Sequence, residues 1–183
     1  PDYEAPTDSG ANNVYDVTVQ ASDGTLSSTK AIAVTVTAVN DNTPAITSAA
    51  TASVAENTTT VMTVTATDAD QPAQTLTYSI VGGADATKFS INASTGALSF
   101  LAAPDFETPT DVGGDNVYDV IVQVADGQGG TDSQAIAVTV TSANDNAPVI
   151  TSAATASVAE NTTAVVTVTA TDADQPAQTL SYS

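Results

Sequence analysis

The sequence predicts an all-β protein built of tandem seven-stranded Greek-key β-sandwiches. Three observations carry that expectation. Apolar and polar residues alternate in several short runs, turn residues separate the runs, and the whole pattern returns after about 104 residues.

Taken in chain order, Met62, Val64 and Ala66 alternate with Thr63, Thr65 and Thr67, and Leu76, Tyr78 and Ile80 follow the same period of two. Tyr118, Val120, Val122 and Val124 alternate with Asp119 and Gln123, and Ile136, Val138 and Val140 with Ala137, Thr139 and Thr141. Turns are expected at Gly82-Gly83, Ser94-Thr95-Gly96 and Gly127-Gln128-Gly129-Gly130. About seven strands in about 100 residues fit a Greek-key sandwich, without the Cys and Trp hallmark of antibody domains. Ala-rich stretches such as Ala49 to Ala55 are broken by Thr and Ser and lack helical periodicity, so no helix is expected.

Self-similarity sets the domain organisation. Residues 43–79 recur at 147–183 with 32 of 37 positions identical, and residues 1–42 recur at 104–146. With each unit starting after Asn-Asp-Asn, residues 1–42 are the C-terminal portion of one repeat. Residues 43–146 are a complete repeat, and 147–183 are the N-terminal portion of the next. Neither partial piece matches 80–103, which reads as a window on a longer tandem array.

Composition narrows the chemistry. The formal net charge is −19, from 21 acidic residues against two lysines, with no His, Cys or Trp. There is no imidazole base, thiolate nucleophile, soft-metal ligand set or disulfide. Without a basic patch, nucleic acid and anionic membrane surfaces are repelled, and no apolar run is long enough to span a bilayer. An enzyme is not expected, because Asp and Glu alone could serve only a glycosidase-type pair. Solvent, salt or a hard cation such as calcium, which takes oxygen ligands, remains to neutralise the acids.

The acids cluster at strand ends and connections: Glu56-Asn57, Asp68-Ala69-Asp70, Asp105-Phe106-Glu107, Ala125-Asp126-Gly127 and Asn144-Asp145-Asn146. Acids one residue apart on extended backbone point to the same side, about 6.5–7 Å apart at Cα, so Asp105 and Glu107, or Asp172 and Asp174, can converge on one ion. A lone Asp-x-Asp is ordinarily a solvated turn. Several oxygen-only clusters with no Lys or Arg beside them, all at connections, are expected of a calcium site and not of solvation alone.

Val54-Ala55-Glu56-Asn57, Asp68-Ala69-Asp70, Thr77-Tyr78-Ser79-Ile80, Asp105-Phe106-Glu107, Val124-Ala125-Asp126 and Ser142-Ala143-Asn144-Asp145-Asn146-Ala147-Pro148 occur in the order and spacing of a known module. The set resembles the cadherin repeat, and the resemblance covers the whole chain. It implies Ca²⁺-bridged seven-stranded domains strung end to end, with up to three ions per junction. At the junction after the complete repeat it implies Glu56, Asp105 and Glu107, the Ala143 carbonyl, Asn144, Asp145, the Asn146 carbonyl, Asp172 and Asp174. At the junction before it, it implies Asp2, Glu4, the Val39 carbonyl, Asn40, Asp41, the Asn42 carbonyl, Asp68, Asp70 and Asp126. Asp23 is the equivalent of Asp126, and the first junction's counterpart of Glu56 would precede Pro1. Departures are Ala38 and Ser142 in place of the first linker Asp, and Tyr3 and Phe106 in place of the Arg of Asp-Arg-Glu. Exchange of an N-terminal Trp between cells is excluded in a chain without Trp.

The expected function is a calcium-rigidified structural or adhesive segment of a long extracellular protein. Six carboxylates at the second junction repel one another without metal. Two filled junctions would bring +12 and leave about −7 of the −19. Expected partners are neighbouring repeats of the same chain, with like molecules in a fibre or a cell-surface or glycan ligand as further candidates. Carbohydrate binding is the alternative function, although sugar sites present exposed aromatics and Tyr15, Tyr78 and Tyr118 read as core. Sequons at Asn57, Asn92 and Asn161 carry no weight in Thr-rich sequence. Near-identical repeats rich in Ala, Thr, Val and Asp are compositionally similar to giant bacterial surface adhesins or extracellular fibres.

Overall fold

The computed structural model describes all 183 residues. Its centre is a pair of facing β-sheets within residues 43–146. One sheet has four strands, in the order β4 (Thr51–Ala55), β11 (Thr131–Thr141), β10 (Val117–Ala125) and β7 (Thr77–Gly82). The other has three, in the order β5 (Thr60–Thr63), β9 (Ala97–Phe100) and β8 (Phe89–Ile91). Two short strands, β3 (Ala45–Ile46) and β6 (Ala66–Thr67), pair with each other. β3 and β4 occupy one strand position that changes sheets part-way, with β4 lying parallel to β11. β5 and β6 share a second position. Seven strand positions result, as the alternation predicts.

Period-two alternation places the core. Tyr118, Val120, Val122 and Val124 along β10 are at most 1% exposed, as are Ile136, Val138 and Val140 along β11. Leu98, Phe100 and Phe89 meet them from the opposing sheet. Phe89 stacks on Phe100 at 4.5 Å between centroids, and Phe100 meets the Tyr118 ring edge-on at 5.1 Å. The Met62–Ala66 run, expected as one strand, is interrupted at Val64-Thr65. There the Val64 amide donates to the Gly96 carbonyl, and the Thr65 carbonyl accepts the Thr47 and Ser48 amides. Gly96, at φ +70°, permits this approach, because a Cβ there would lie 2.2 Å from the Val64 oxygen. The expected absence of α-helix is matched by a single three-residue 3₁₀ turn at Ala86–Lys88.

The flanking pieces behave differently despite nearly the same sequence. Residues 14–35 form only a hairpin, β1 (Val14–Ser22) with β2 (Ser27–Thr35). Residues 147–183 form only β12 (Val149–Ile150) with β13 (Ala170–Thr171). Thr155–Ala159 repeats the Thr-Ala-Ser-Val-Ala of β4 yet forms no strand, because no counterpart of β11 stands beside it. Val158 is accordingly 51% exposed, against 6% for Val54.

Leu98→Ala removes a side chain of zero exposure at the sheet interface. The substitution is expected to cost about 2–5 kcal/mol, read as a lower midpoint in urea unfolding followed by the tyrosine signal of Tyr118.

Candidate cation-binding junctions

Two linkers, residues 36–44 and 142–148, lie between the pieces of the fold, outside the strands. Each meets an Asp-x-Asp segment that follows a short strand, β6 or β13, and an Asp-x-Glu segment, Asp2–Glu4 or Asp105–Glu107, from earlier in the chain. The expected extended geometry is not what the segments adopt: in each, the first Asp turns back to accept the amide two residues on, and Asp2, Asp68 and Asp172 stand outside the triads that hold Glu4, Asp70 and Asp174.

At the second junction the structure gathers two overlapping carboxylate triads. Glu56, Asp105 and Glu107 place one oxygen each within 4.8 Å of one another, and Glu107, Asp145 and Asp174 do the same. Glu107 belongs to both. Glu56 is 3% exposed and accepts hydrogen bonds from the Phe106 amide at 2.7 Å and the Ala143 amide at 2.6 Å. One carboxylate thereby ties the start of the linker to the Asp-x-Glu segment. Asp174, 1% exposed, uses Oδ1 to accept the Asn146 amide at 3.0 Å and the Asn146 side chain at 2.9 Å. Its Oδ2 accepts from Gln178 at 3.2 Å. Asp172 stands outside the triads and accepts the Asp174 amide at 3.2 Å. Asp105 Oδ1 holds the Glu107 and Thr108 amides at 3.0 and 3.1 Å. Asn144 donates to Gln178 at 2.7 Å.

The first junction repeats the second triad as Glu4, Asp41 and Asp70. Residues 1–42 hold no counterpart of Glu56. Asp70 Oδ1 accepts from Asn42 Nδ2 at 2.8 Å and from the Asn42 amide at 3.2 Å. Asp68 Oδ1 accepts the Asp70 amide at 3.1 Å, and Asp2 Oδ1 the Glu4 amide at 3.0 Å. Asp126 arrives from the β10–β11 turn, where its Oδ1 accepts the Gln128, Gly129 and Gly130 amides and its Oδ2 accepts from Asn40 at 3.1 Å. Asp23 in the β1–β2 turn accepts the Thr25 and Leu26 amides, which pull its pKa down to about 2. A glutamate crosses each junction to a backbone amide: Glu4 accepts from Gln71 at 3.1 Å, and Glu107 from Gln175 at 3.0 Å. Of the backbone oxygens named as candidate ligands, those of Val39, Asn42, Ala143 and Asn146, all lie on the linkers, and Val39 is 62% exposed.

Hydrogen bonds favour the ionised form of three of these acids. The side chain of Asn42 pulls the Asp70 carboxyl below its ordinary value against the effect of burial, and Asn146 does the same to Asp174. The Gln128 amide and the Asn40 side chain lower Asp126. Two carboxylate oxygens, Asp68 Oδ2 and Glu107 Oε2, are buried without any hydrogen-bond partner. A buried anionic oxygen with no donor is costly. All-oxygen donors, triads within 4.8 Å and two orphaned oxygens together fit a hard cation of the calcium type.

Three contributors escaped sequence reading. Asn57, quoted beside Glu56 but given no contact of its own, has φ +62° and donates its side-chain amide to Asp145 Oδ2. Gln74 and Gln178 link linker to Asp-x-Asp segment. The signal for the glutamines is their exact repetition four residues after Asp70 and Asp174.

A family model described as the Cadherin domain matches residues 50–141. Protocadherin Fat 1 of Homo sapiens is 34% identical over 178 residues, covering 92% of this chain and 4% of the relative. Protocadherin gamma-B4 of Homo sapiens is 31% identical over 153 residues, covering 79% of this chain and 16% of the relative. The chain thus spans a small fraction of the length of these curated relatives. Among solved structures, Protocadherin Gamma B2 extracellular cadherin domains 3-6 superpose with a TM-score of 0.67 at 28% identity, over 92% of this chain and 44% of that one. Mouse Cadherin-23 EC22-24 gives 0.63 at 30% identity, over 96% and 56%.

Glu56→Ala leaves the Phe106 and Ala143 amides unpaired and is expected to cost roughly 1–3 kcal/mol for each, measured by thermal or urea unfolding. A group whose folded pKa is depressed stabilises the fold above its unfolded pKa and stops doing so as pH falls through the folded value. The order conferred by Asp70, Asp126 and Asp174 should therefore persist at pH values above 3.8 and be lost below it. Carboxyl ¹³C titration should place all three midpoints under 3.8, and a midpoint at or above it for Asp174 contradicts the assignment.

Proposed function

This chain belongs to the cadherin family, and from that premise we propose that it is a calcium-rigidified structural or adhesive segment of a long extracellular protein. Cadherin domains are non-enzymatic modules, and the chemistry of this chain is binding and mechanics. The single observation that carries the calcium reading is Glu107: it belongs to both triads, reaches a backbone amide of the following repeat, and keeps one oxygen buried and unpartnered.

In this reading residues 43–146 are one complete repeat, flanked by the end of one neighbour and the beginning of another. The second junction is held by Glu56, Asp105, Glu107, Asn144, Asp145, Asp172 and Asp174, with carbonyls of Ala143 and Asn146. The first is held by Asp2, Glu4, Asn40, Asp41, Asp68, Asp70 and Asp126, with carbonyls of Val39 and Asn42. Calcium, up to three ions per junction, supplies the positive charge that these segments lack. Without it, carboxylates from three segments repel across a short linker and the angle between repeats is free to vary. Typical affinities of extracellular calcium modules, with dissociation constants of roughly 10⁻⁴–10⁻³ M, fill outside a cell and empty within it. An extracellular location is supported by the extracellular cadherin domains of the solved relatives. No helix of the structure is long and apolar enough to cross a membrane.

The immediate partners are the neighbouring repeats, with like molecules alongside in a fibre. Carbohydrate binding has less support. All five aromatic side chains of residues 43–146 (Tyr78, Phe89, Phe100, Phe106 and Tyr118) are buried or half-buried, leaving no exposed platform for a sugar ring.

Calcium is expected to raise the melting temperature of the chain and narrow its small-angle scattering envelope, and EDTA to reverse both. Scattering and melting curves indifferent to chelation would sink the proposal. Glu107→Gln, at the shared corner of the triads, should weaken calorimetric affinity at the second junction by roughly tenfold or more while sparing the first.

A further inference from the structure

We propose that Gln74 and Gln178 are positioning residues that brace each linker against the following repeat before any cation arrives. The proposal rests on the calcium reading only for what the brace prepares, since the brace itself is a set of hydrogen bonds.

At the first junction four side chains close a ring. Asn40 Nδ2 donates to Gln74 Oε1 at 3.0 Å, and Gln74 Nε2 donates to Asp70 Oδ2 at 3.3 Å. Asp70 Oδ1 accepts from Asn42 Nδ2 at 2.8 Å, which returns the path to the linker two residues beyond Asn40. The second junction builds the same ring from Asn144, Gln178, Asp174 and Asn146, with the corresponding contacts at 2.7, 3.2 and 2.9 Å. The two copies agree in partners and in donor direction. Gln74 is half-buried under a complete repeat, whereas Gln178 is exposed on an incomplete one, and the ring survives the difference.

The chemistry selects glutamine. Its carboxamide carries an acceptor and a donor on one planar group, so it takes a hydrogen from the linker Asn and gives one to the Asp. Glutamate would keep the acceptor, lose the donor and set a second negative charge against Asp70. Methionine would keep the length and lose both bonds. Each carboxylate oxygen offers about two acceptor sites. Asp70 Oδ2, spending one on Gln74, is held in place with another still free to face a cation. The brace thus orders the linker for one acceptor site of that oxygen and adds no charge to compete with the metal.

Amide hydrogen exchange of the 183-residue chain in EDTA, read by NMR, tests this. In Gln74→Met, the Asp41 and Asn42 amides, which donate to Asp70, should exchange roughly thirtyfold faster than in the unsubstituted chain, the size expected from losing two ordinary hydrogen bonds. The Asp145 and Asn146 amides of the untouched second junction and the β10–β11 ladder amides should not change, which separates a lost brace from a loosened fold. Gln74→Glu should be affected at least as strongly as Gln74→Met. Adding millimolar calcium should abolish the difference. Equal exchange at Asp41 and Asn42 with and without Gln74 overturns the proposal, as does acceleration spread equally over both junctions. If calcium leaves the exchange of the unsubstituted chain untouched, the calcium reading fails, and the comparison in EDTA still decides the brace.

Discussion

The β10–β11 ladder is stable as a half-buried surface only when a second sheet lies over it, and the rest of the molecule is arranged to meet that demand. The chain contains its own control. Val17, Val19, Ile32 and Val34 on the β1–β2 hairpin are 39–49% exposed, whereas their counterparts Val120, Val122, Ile136 and Val138 are at most 1% exposed. The two ladders share register and most of their sequence. What differs is the presence of β5, β8 and β9, whose Leu98, Phe89 and Phe100 cover the apolar face. Burial of apolar area is what makes a period-two pattern into a core, and it needs both layers.

A polar version of the same rule governs the junctions. Carboxylates there are not matched by bases in number, since the chain has 21 acids and two lysines. Backbone amides and the side chains of Asn and Gln take that place. Glu56 holds two amides, while Asp70 and Asp174 each hold amides of a linker. Neutral donors orient an anion without cancelling its charge. That leaves Glu107 Oε2 and Asp68 Oδ2, buried and unpaired, as the places where the acids still lack a counterpart. Order and charge deficit are thereby separated: the first comes from hydrogen bonds, the second is left for a cation.

Much of this was legible in the sequence. Alternation located β7, β10 and β11 and their inward residues, because a side chain on a strand has only two faces to choose between. The repeat placed the acid clusters at the junctions, and the triads draw on residues named there. Less legible was the break at Val64-Thr65, which depends on the distant Gly96 carbonyl. Asn57, Gln74 and Gln178 were also missed. Their contacts lie 34 to 88 residues away along the chain, apart from each glutamine's bond to Asp70 or Asp174, and no local pattern distinguishes such an amide from any other polar surface residue. Identity of sequence also failed as a guide to structure. Thr-Ala-Ser-Val-Ala is a strand at 51–55 and irregular at 155–159, since a parallel edge strand is defined by the neighbour it pairs with.

That duplicated pentapeptide also poses a problem of fidelity during folding. The edge of β11 is offered two chemically identical suitors, Thr51–Ala55 and Thr155–Ala159, and the second lies far closer to it along the chain. Closing a shorter loop costs less entropy, so proximity alone favours the wrong one. A parallel return needs a connection of about a dozen residues or more. The 13 residues from Ser142 to Ala154 supply barely that, and Glu56, Asn57 and Asp174 hold the first of them across the end of the repeat. A linker tethered in this way leaves no slack for the turn back. In the folded chain, where Thr51–Ala55 already occupies the β11 edge and Glu56 and Asn57 follow directly from it, the tethered linker leads the second copy of the pentapeptide away from that edge.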